Sequence, residues 1–384
     1  MSVSASSYLP FYAGRGCGCA GLPTPDVLAV SQAQLRVLAT YCRSEALHFA
    51  LLTKILQAVR HARHPPLMVD AGANHGIYGL YSAALGAQVV AIEPQAHVAA
   101  LAVAAWRAYA EAHLGGNTEA RTRFQMIHGA LLDRNTSVHL HGNIADIVHG
   151  HAGGMANVRE AVPGVTARRV ATARLIGWQP AARVHEHYVR DAAHPPPGAV
   201  IAMPLSVALE VASIAPSARI HFLKIDVEGS ELSVLRSIEP LLATQQVEHV
   251  LMEFGPVNRW QSVDTCGLSC EQVALDMLRR LELVHGMQVR LLCGVTFPTG
   301  SNRSPELSWR SFCHGPLSQH DPGLPHFVSL NQSEPLYAAL FSELRRRDGY
   351  LWLCNKHRAT GCSAVALPIQ KELMAGCGAH RAYA

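Results

Sequence analysis

The sequence predicts an α/β chain organised around a Rossmann-like strand, turn, helix and strand unit, and three observations carry that prediction. Residues 67–93, LMVDAGANHGIYGLYSAALGAQVVAIE, open on a short apolar strand, pass through a glycine-bearing turn into a helix, and close on a strand ending in a carboxylate. Residues 219–242 repeat the order of apolar strand, acidic turn and amphipathic helix. The composition, 49% hydrophobic and 16% charged over 384 residues, supplies a core for one large domain with additions or for two domains, and excludes global disorder.

Residues 1–30 hold Gly14, Gly16, Gly18, Gly21, Pro23 and Pro25 without apolar periodicity and read as a flexible N-terminal segment. Residues 31–66 form an N-terminal helical cover, with Leu35, Leu38, Leu47, Leu52, Ile55 and Leu56 at helical spacing, stopped by Pro65 and Pro66. Leu67, Met68 and Val69 are apolar throughout, as in a strand covered on both faces, and the run stops at Asp70. Gly72 and Gly76 let the backbone turn and approach a ligand before a helix over about 77–85. The next strand ends in Glu93, about 20 residues after Asp70, where an acid can accept hydrogen bonds from ribose hydroxyls.

Asp70-Ala71-Gly72-Ala73-Asn74-His75-Gly76 has Asn74 where a dinucleotide fingerprint needs its middle glycine, which disfavours a nicotinamide-dependent oxidoreductase. D-x-G-x-x-x-G with a downstream Glu is the pattern that S-adenosylmethionine enzymes of the Rossmann-like class carry. A sulfonium has no phosphate to cradle, and carboxylates attract it.

Further on, an alanine-rich helix over 97–113 carries Trp106, and a third strand over 124–127 runs into Ala130-Leu131-Leu132-Asp133. In the methyltransferase architecture that turn nears the adenine, so Ala130 and Asp133 are candidate cofactor contacts. Residues 142–199 are rich in Gly and Pro and read as an insertion. The pairs His139/His141, His149/His151 and His185/His187 lack the acidic or cysteine partners of a metal site and read as polar strand faces. Ile220, Phe222, Leu223 and Ile225 make a buried strand interrupted by Lys224, leading into Asp226-Val227-Glu228-Gly229-Ser230-Glu231. Charges at a strand end facing a cofactor crevice need a use or a partner. Glu231 reads as a first-turn helix acid, whereas Asp226 and Glu228 read as functional.

DAGANHG, Ile92-Glu93-Pro94 and above all LKIDVEGSELSVL resemble the FkbM family of S-adenosylmethionine-dependent methyltransferases, over residues 67–256. The resemblance implies a Rossmann-like class I methyltransferase with a seven-stranded, mostly parallel sheet, one strand reversed, and O-methylation of a small molecule or sugar. The domain so defined spans 67–295. Two departures stand out: the long insertion, and Leu205-Ser206 where family members tend to carry Leu-Asp, with Ser206 expected to cap its helix.

In this reading Gly72, Asn74 and Gly76 meet the amino-acid end of S-adenosyl-L-methionine, Asp70 organises them and Glu93 takes the ribose. Asp226 or Glu228 is the base or substrate clamp and Lys224 tunes their charge. Chelation of a divalent metal by Asp226, Glu228 and Glu253 ranks second, and a cofactor-binding module without catalysis is the alternative function. Nucleic-acid amine methylation is disfavoured, because Asp226-Val227-Glu228-Gly229 is not the two-proline, aromatic motif of such enzymes.

Residues 271–283 predict a helix, 289–295 a strand, 334–346 a helix and 350–354 the last strand, within a C-terminal extension of 296–384 containing a long loop over 297–324 and a frayed tail from 370. The charge of +4 is not gathered into basic runs, which disfavours nucleic acid as partner, and no stretch has the length of a membrane span. The ten cysteines and the sequons at Asn135, Asn302 and Asn331 are compatible with a secretory lumen, yet no signal is visible and the cytoplasm is the expectation. Cys266, Cys270 and Cys293 are expected to be buried thiols.

Overall fold

The computed structural model describes residues 45–59, 64–116, 118–141, 157–160, 174–176, 199–255, 257, 260, 269–292, 327–330, 337, 340–342 and 349–357. The elements in chain order are α1 (Ala46–Val59), β1 (Leu67–Ala71), α2 (Ile77–Ala84), β2 (Gln88–Glu93), α3 (Ala96–His113), α4 (Thr118–Thr122), β3 (Phe124–His128), β4 (Ala130–Leu131), β5 (Thr136–His141), β6 (Asn157–Glu160) and β7 (Arg174–Ile176). They continue with β8 (Ala199–Met203), α5 (Leu205–Val211), β9 (Ile220–Ile225), α6 (Glu231–Ala243), β10 (His249–Phe254), α7 (Cys270–Leu283), β11 (Met287–Leu292), β12 (Phe327–Ser329) and β13 (Gly349–Asn355).

The main sheet runs β12-β11-β13-β10-β9-β1-β2-β3-β7. Its central seven strands, β3 to β11, are parallel except β13, which is antiparallel to both β10 and β11. This is the seven-stranded, mostly parallel sheet with one reversed strand that the sequence led us to expect. Short antiparallel strands β12 and β7 extend its two edges. The strand order reverses beside β1, whose neighbours are β2 on one side and β9 on the other, so the crevice lies past the C-terminal ends of these strands.

Strand residues alternate between two buried layers, as a period of two requires. Leu67, Val69, Val90 and Ile92 pack with Leu232, Leu235, Ala274 and Leu278 of α6 and α7. Met68, Val89, Ala91 and Phe222 pack with Leu52, Ile77, Leu80, Ala102 and Trp106 of α1, α2 and α3. Both faces of the sheet are therefore covered, which is why β1 has no exposed position.

Several expectations are refined. Residues 142–199 are not without strands: β6 pairs with β5, and β7 adds to β3. With β4 and β8 these build a second sheet, β4-β8-β5-β6. Ser206 does not cap its helix; Pro204 occupies the cap with extended backbone and no side-chain bond, which leaves Ser206 exposed in the first turn of α5. The strand expected over 289–295 starts earlier, at Met287, because Gly286 turns the chain with φ 66° after α7. Cys270 is not a buried thiol: Cys270 and Cys354 are each disulfide-bonded. Residues 1–30, His149, His151, His185, His187, Cys266, Cys293, the 297–324 loop and the tail from 370 lie outside the described residues, as does most of 334–346. Among the described residues no helix is long and apolar enough to cross a membrane.

Candidate active site

The loop after β1 is built on backbone contacts to both neighbouring strands. The N–H groups of Gly72 and Ala73 both donate to the Ile92 carbonyl, at 3.0 and 2.9 Å, and Asp226 N–H donates to the Ala71 carbonyl at 3.0 Å. Gly72 (φ 73°), Asn74 (φ 50°) and Gly76 (φ 74°) all take the left-handed backbone region. At Gly72 a Cβ would collide with the Asp226 carbonyl, so the β1 and β9 loops touch only because this residue has none. At Gly76 a Cβ would lie 2.6 Å from Ala102 of α3. Gly76 also caps α2 without a side-chain hydrogen bond, so the spacing of the two glycines is dictated by packing as much as by any ligand.

Glu93 is buried at the end of β2. Its Oε2 accepts Asn74 N–H at 2.7 Å and its Oε1 accepts Gln95 N–H at 2.9 Å, tying the β1 loop to the β2 loop. Burial pushes its pKa up to about 7 against the pull of those two donors. Each oxygen keeps a further lone pair with which to accept a hydroxyl.

Asp70 is fully buried and faces α2, where its Oδ2 accepts Gly79 N–H at 3.0 Å. Its register partner on β9 is Lys224, and paired positions on adjacent parallel strands share a face. Lys224 Nζ lies 3.1 Å from Asp226 Oδ2, 3.3 Å from the Gly72 carbonyl and 3.7 Å from Asp70 Oδ1, with the Tyr78 ring centroid at 5.0 Å. Burial works against the charge on the ammonium, but Asp226, Asp70 and Glu45 outweigh it and raise the Lys224 pKa. Burial raises the Asp70 pKa, opposed by Lys224 and by Gly79 N–H.

Asp226, Glu228 and Glu253 converge past β9 and β10, with one carboxylate oxygen from each lying within 4.8 Å of the others. Glu228 holds a left-handed backbone (φ 54°), unusual for a residue with a Cβ. This trio could hold a hard divalent cation. Glu231 stands apart from it: buried at the start of α6, it accepts Gly229 N–H at 3.0 Å and the Trp260 indole N–H at 2.9 Å, closing the acidic turn from within.

The turn after β3 differs from an open adenine contact. Ala130 is buried in β4, opposite Ala202 of β8. Asp133 binds Arg134 at 2.8 Å and Arg236 at 2.9 Å, and gives its N–H to Ser233 Oγ at 2.9 Å. Partial burial works against ionisation of Asp133, yet Arg236 and Ser233 hold its pKa below the usual carboxylate value. Both groups an adenine would use are thus already shared with α6 and Arg134.

Sequence reasoning missed four residues near the site. His75 is buried inside the loop, its Nδ1 without a hydrogen-bond partner among the described residues, and burial drops its pKa to about 4. Glu45 and His48, at α1, reach Tyr78 of α2: the tyrosine hydroxyl donates to Glu45 Oε2 at 2.5 Å and meets His48 Nδ1 at 2.9 Å. No motif marks α1, and only Tyr78, two residues after the glycine loop, could have flagged the contact.

The strand order, with an acidic crevice at its switch point, defines a Rossmann-like α/β fold. Residues 200–282, from β8 into α7, match the family model described as the methyltransferase FkbM domain. This stretch is similar to the FkbM methyltransferase domain, and it contains Lys224, Asp226, Glu228 and Glu253. Neither the curated proteins nor the solved structures contain a match to the chain.

Proposed function

We propose that the protein transfers the methyl group of S-adenosylmethionine to a hydroxyl of a small molecule or sugar. The observation that carries this is the charge balance at the switch point. A single buried ammonium, Lys224, stands among Asp70, Asp226 and Glu45, with Glu228, Glu253 and Glu93 nearby. Such an end of the sheet favours a cationic ligand without phosphate, and that donor set fits S-adenosylmethionine.

When bound, that cofactor supplies a methyl group on a sulfonium, open to in-line attack. The backbone of Gly72, Asn74 and Gly76 binds its amino-acid end, with Asp70 holding α2 and the loop in place through Gly79. Glu93 accepts from the ribose hydroxyls while keeping Asn74 in position. Asp226 or Glu228 orients the acceptor hydroxyl and takes its proton, and Lys224 Nζ holds the Asp226 carboxylate in place at 3.1 Å. In the second reading, favoured by their convergence, Asp226, Glu228 and Glu253 would hold a divalent cation, which would supply Lewis-acid chemistry at the acceptor.

The disulfides at Cys270 and Cys354 favour an oxidising compartment over the cytoplasm expected from the sequence. The acceptor is a small molecule or carbohydrate in this reading.

The test is calorimetric binding of S-adenosylmethionine and S-adenosylhomocysteine, with NAD as control, to the protein and to Glu93→Ala. Binding of the first two, weakened by the substitution, supports the proposal; binding of NAD alone sinks it. Methyl transfer to hydroxylated acceptors, lost in Asp226→Asn or Glu228→Gln with cofactor binding retained, separates an enzyme from a binding module. Dependence of that transfer on added magnesium, removed by a chelator, would select the metal reading.

A further inference from the structure

We infer that Tyr78 is a positioning residue of the cofactor site, through which α1 sets the place of Lys224 and hence of the glycine loop. The inference rests on the cofactor reading above.

Lys224 Nζ is held by three kinds of contact: the Asp226 carboxylate, the Gly72 carbonyl and the face of the Tyr78 ring. The Gly72 carbonyl belongs to the loop that meets the ligand, so the position of Nζ is the position of that loop. Lys224 is buried, and its stem cannot relocate its charge into water. A further carboxylate, Glu45, is close enough to raise the Lys224 pKa. Glu45 is a competitor: were it free, it would draw the ammonium towards α1 and away from Gly72 and Asp226.

The Tyr78 hydroxyl occupies that competitor. It donates to Glu45 Oε2 at 2.5 Å, and His48 then supplies its Nδ1 proton to the same hydroxyl at 2.9 Å, since the phenol has only one proton to give. Tyr78 is thus pinned at its hydroxyl by two residues of the α1 segment while its ring forms the floor under Nζ. Phe49 stacks on this ring, with centroids 4.6 Å apart, which fixes its plane. Attraction of an ammonium to an aromatic face is appreciable where both are desolvated.

The experiment compares Tyr78→Phe with Tyr81→Phe. Tyr81 makes an equivalent hydroxyl contact across the same pair of helices, to Thr53 Oγ1 at 2.7 Å. S-adenosylmethionine affinity is measured by calorimetry alongside thermal melting. Tyr78→Phe is expected to weaken binding about tenfold and Tyr81→Phe by no more than about twofold; in a Lys224→Met background the Tyr78→Phe effect is expected to shrink below about twofold. Equal loss in both tyrosine variants, no loss in Tyr78→Phe, or an undiminished effect in the Lys224→Met background would overturn the inference. If Lys224→Met does not fold, the two tyrosine variants decide it alone. If the unaltered protein binds no S-adenosylmethionine, the cofactor reading itself falls and this inference falls with it.

Discussion

Asp70 and Lys224, separated by most of the parallel half of the chain, sit in register on adjacent strands with Lys224 Nζ 3.7 Å from Asp70 Oδ1. Both are buried, so neither charge is screened by water. The pair joins the strand before the glycine loop to the strand before the acidic turn, which makes the two motifs one site.

Lys224→Met is expected to leave buried Asp70 and half-buried Asp226 without their shared cation. Removal of one partner from a buried pair costs about 3–5 kcal/mol. Urea denaturation at pH 7 measures it; a cost within experimental error of zero would show that the ammonium does not hold the strand ends together.

Glu93 makes stability fall with rising pH. Its folded pKa of about 7 lies above the ordinary 4.5, so between these values the folded state binds more protons than the unfolded state. Its contribution is fully present below the unfolded value and is lost as pH rises through 7, with a ceiling on the order of 3 kcal/mol. Denaturation curves from pH 5 to 8 should show this slope, flattened in Glu93→Ala.

Gly72→Ala and Gly86→Ala separate collision from backbone strain. Both positions have positive φ, but a Cβ meets the Asp226 carbonyl at the first and nothing within 4 Å at the second. Gly86→Ala is expected to cost about 1–2 kcal/mol, the penalty of the left-handed region. Gly72→Ala should cost more than that and abolish cofactor binding, because the loops after β1 and β9 must part. Equal midpoints for the two variants in urea would refute the collision.

Reductant should destabilise the protein. Loss of the disulfide bonding at Cys270 and Cys354 is expected to cost at least about 2–5 kcal/mol, the range for removal of a native disulfide. Thermal melting with and without a phosphine reductant reads the shift, and alkylation of the denatured, unreduced protein should leave both cysteines unmodified.

The two motifs were legible because each is contiguous. In 67–93 and 219–242 a strand, its turn and its helix lie within one run, so apolar period, glycines and carboxylates together specify local structure and even the end of the sheet at which the site forms. The last strand, reversed between β10 and β11, followed from the family resemblance and is found at Gly349–Asn355. What the sequence by itself determined is therefore the fold class and the local placement of the candidate site residues: Asp70, Glu93, Lys224 and Asp226 at strand ends, with Gly72 and Gly76 in the loop after β1. Only the tertiary structure decided which of these meet. The register of β1 on β9 put Lys224 opposite Asp70, the parallel pairing of β9 and β10 brought Glu253 to Asp226 and Glu228, and the docking of α1 on α2 brought Glu45 and His48 to Tyr78. Asp133 was legible as a residue near the site but not as the ion-paired tether to Arg236 that it is. The physical reason is common to all of these: a local pattern records which face a residue presents, whereas its partner is chosen by packing between segments far apart in the chain.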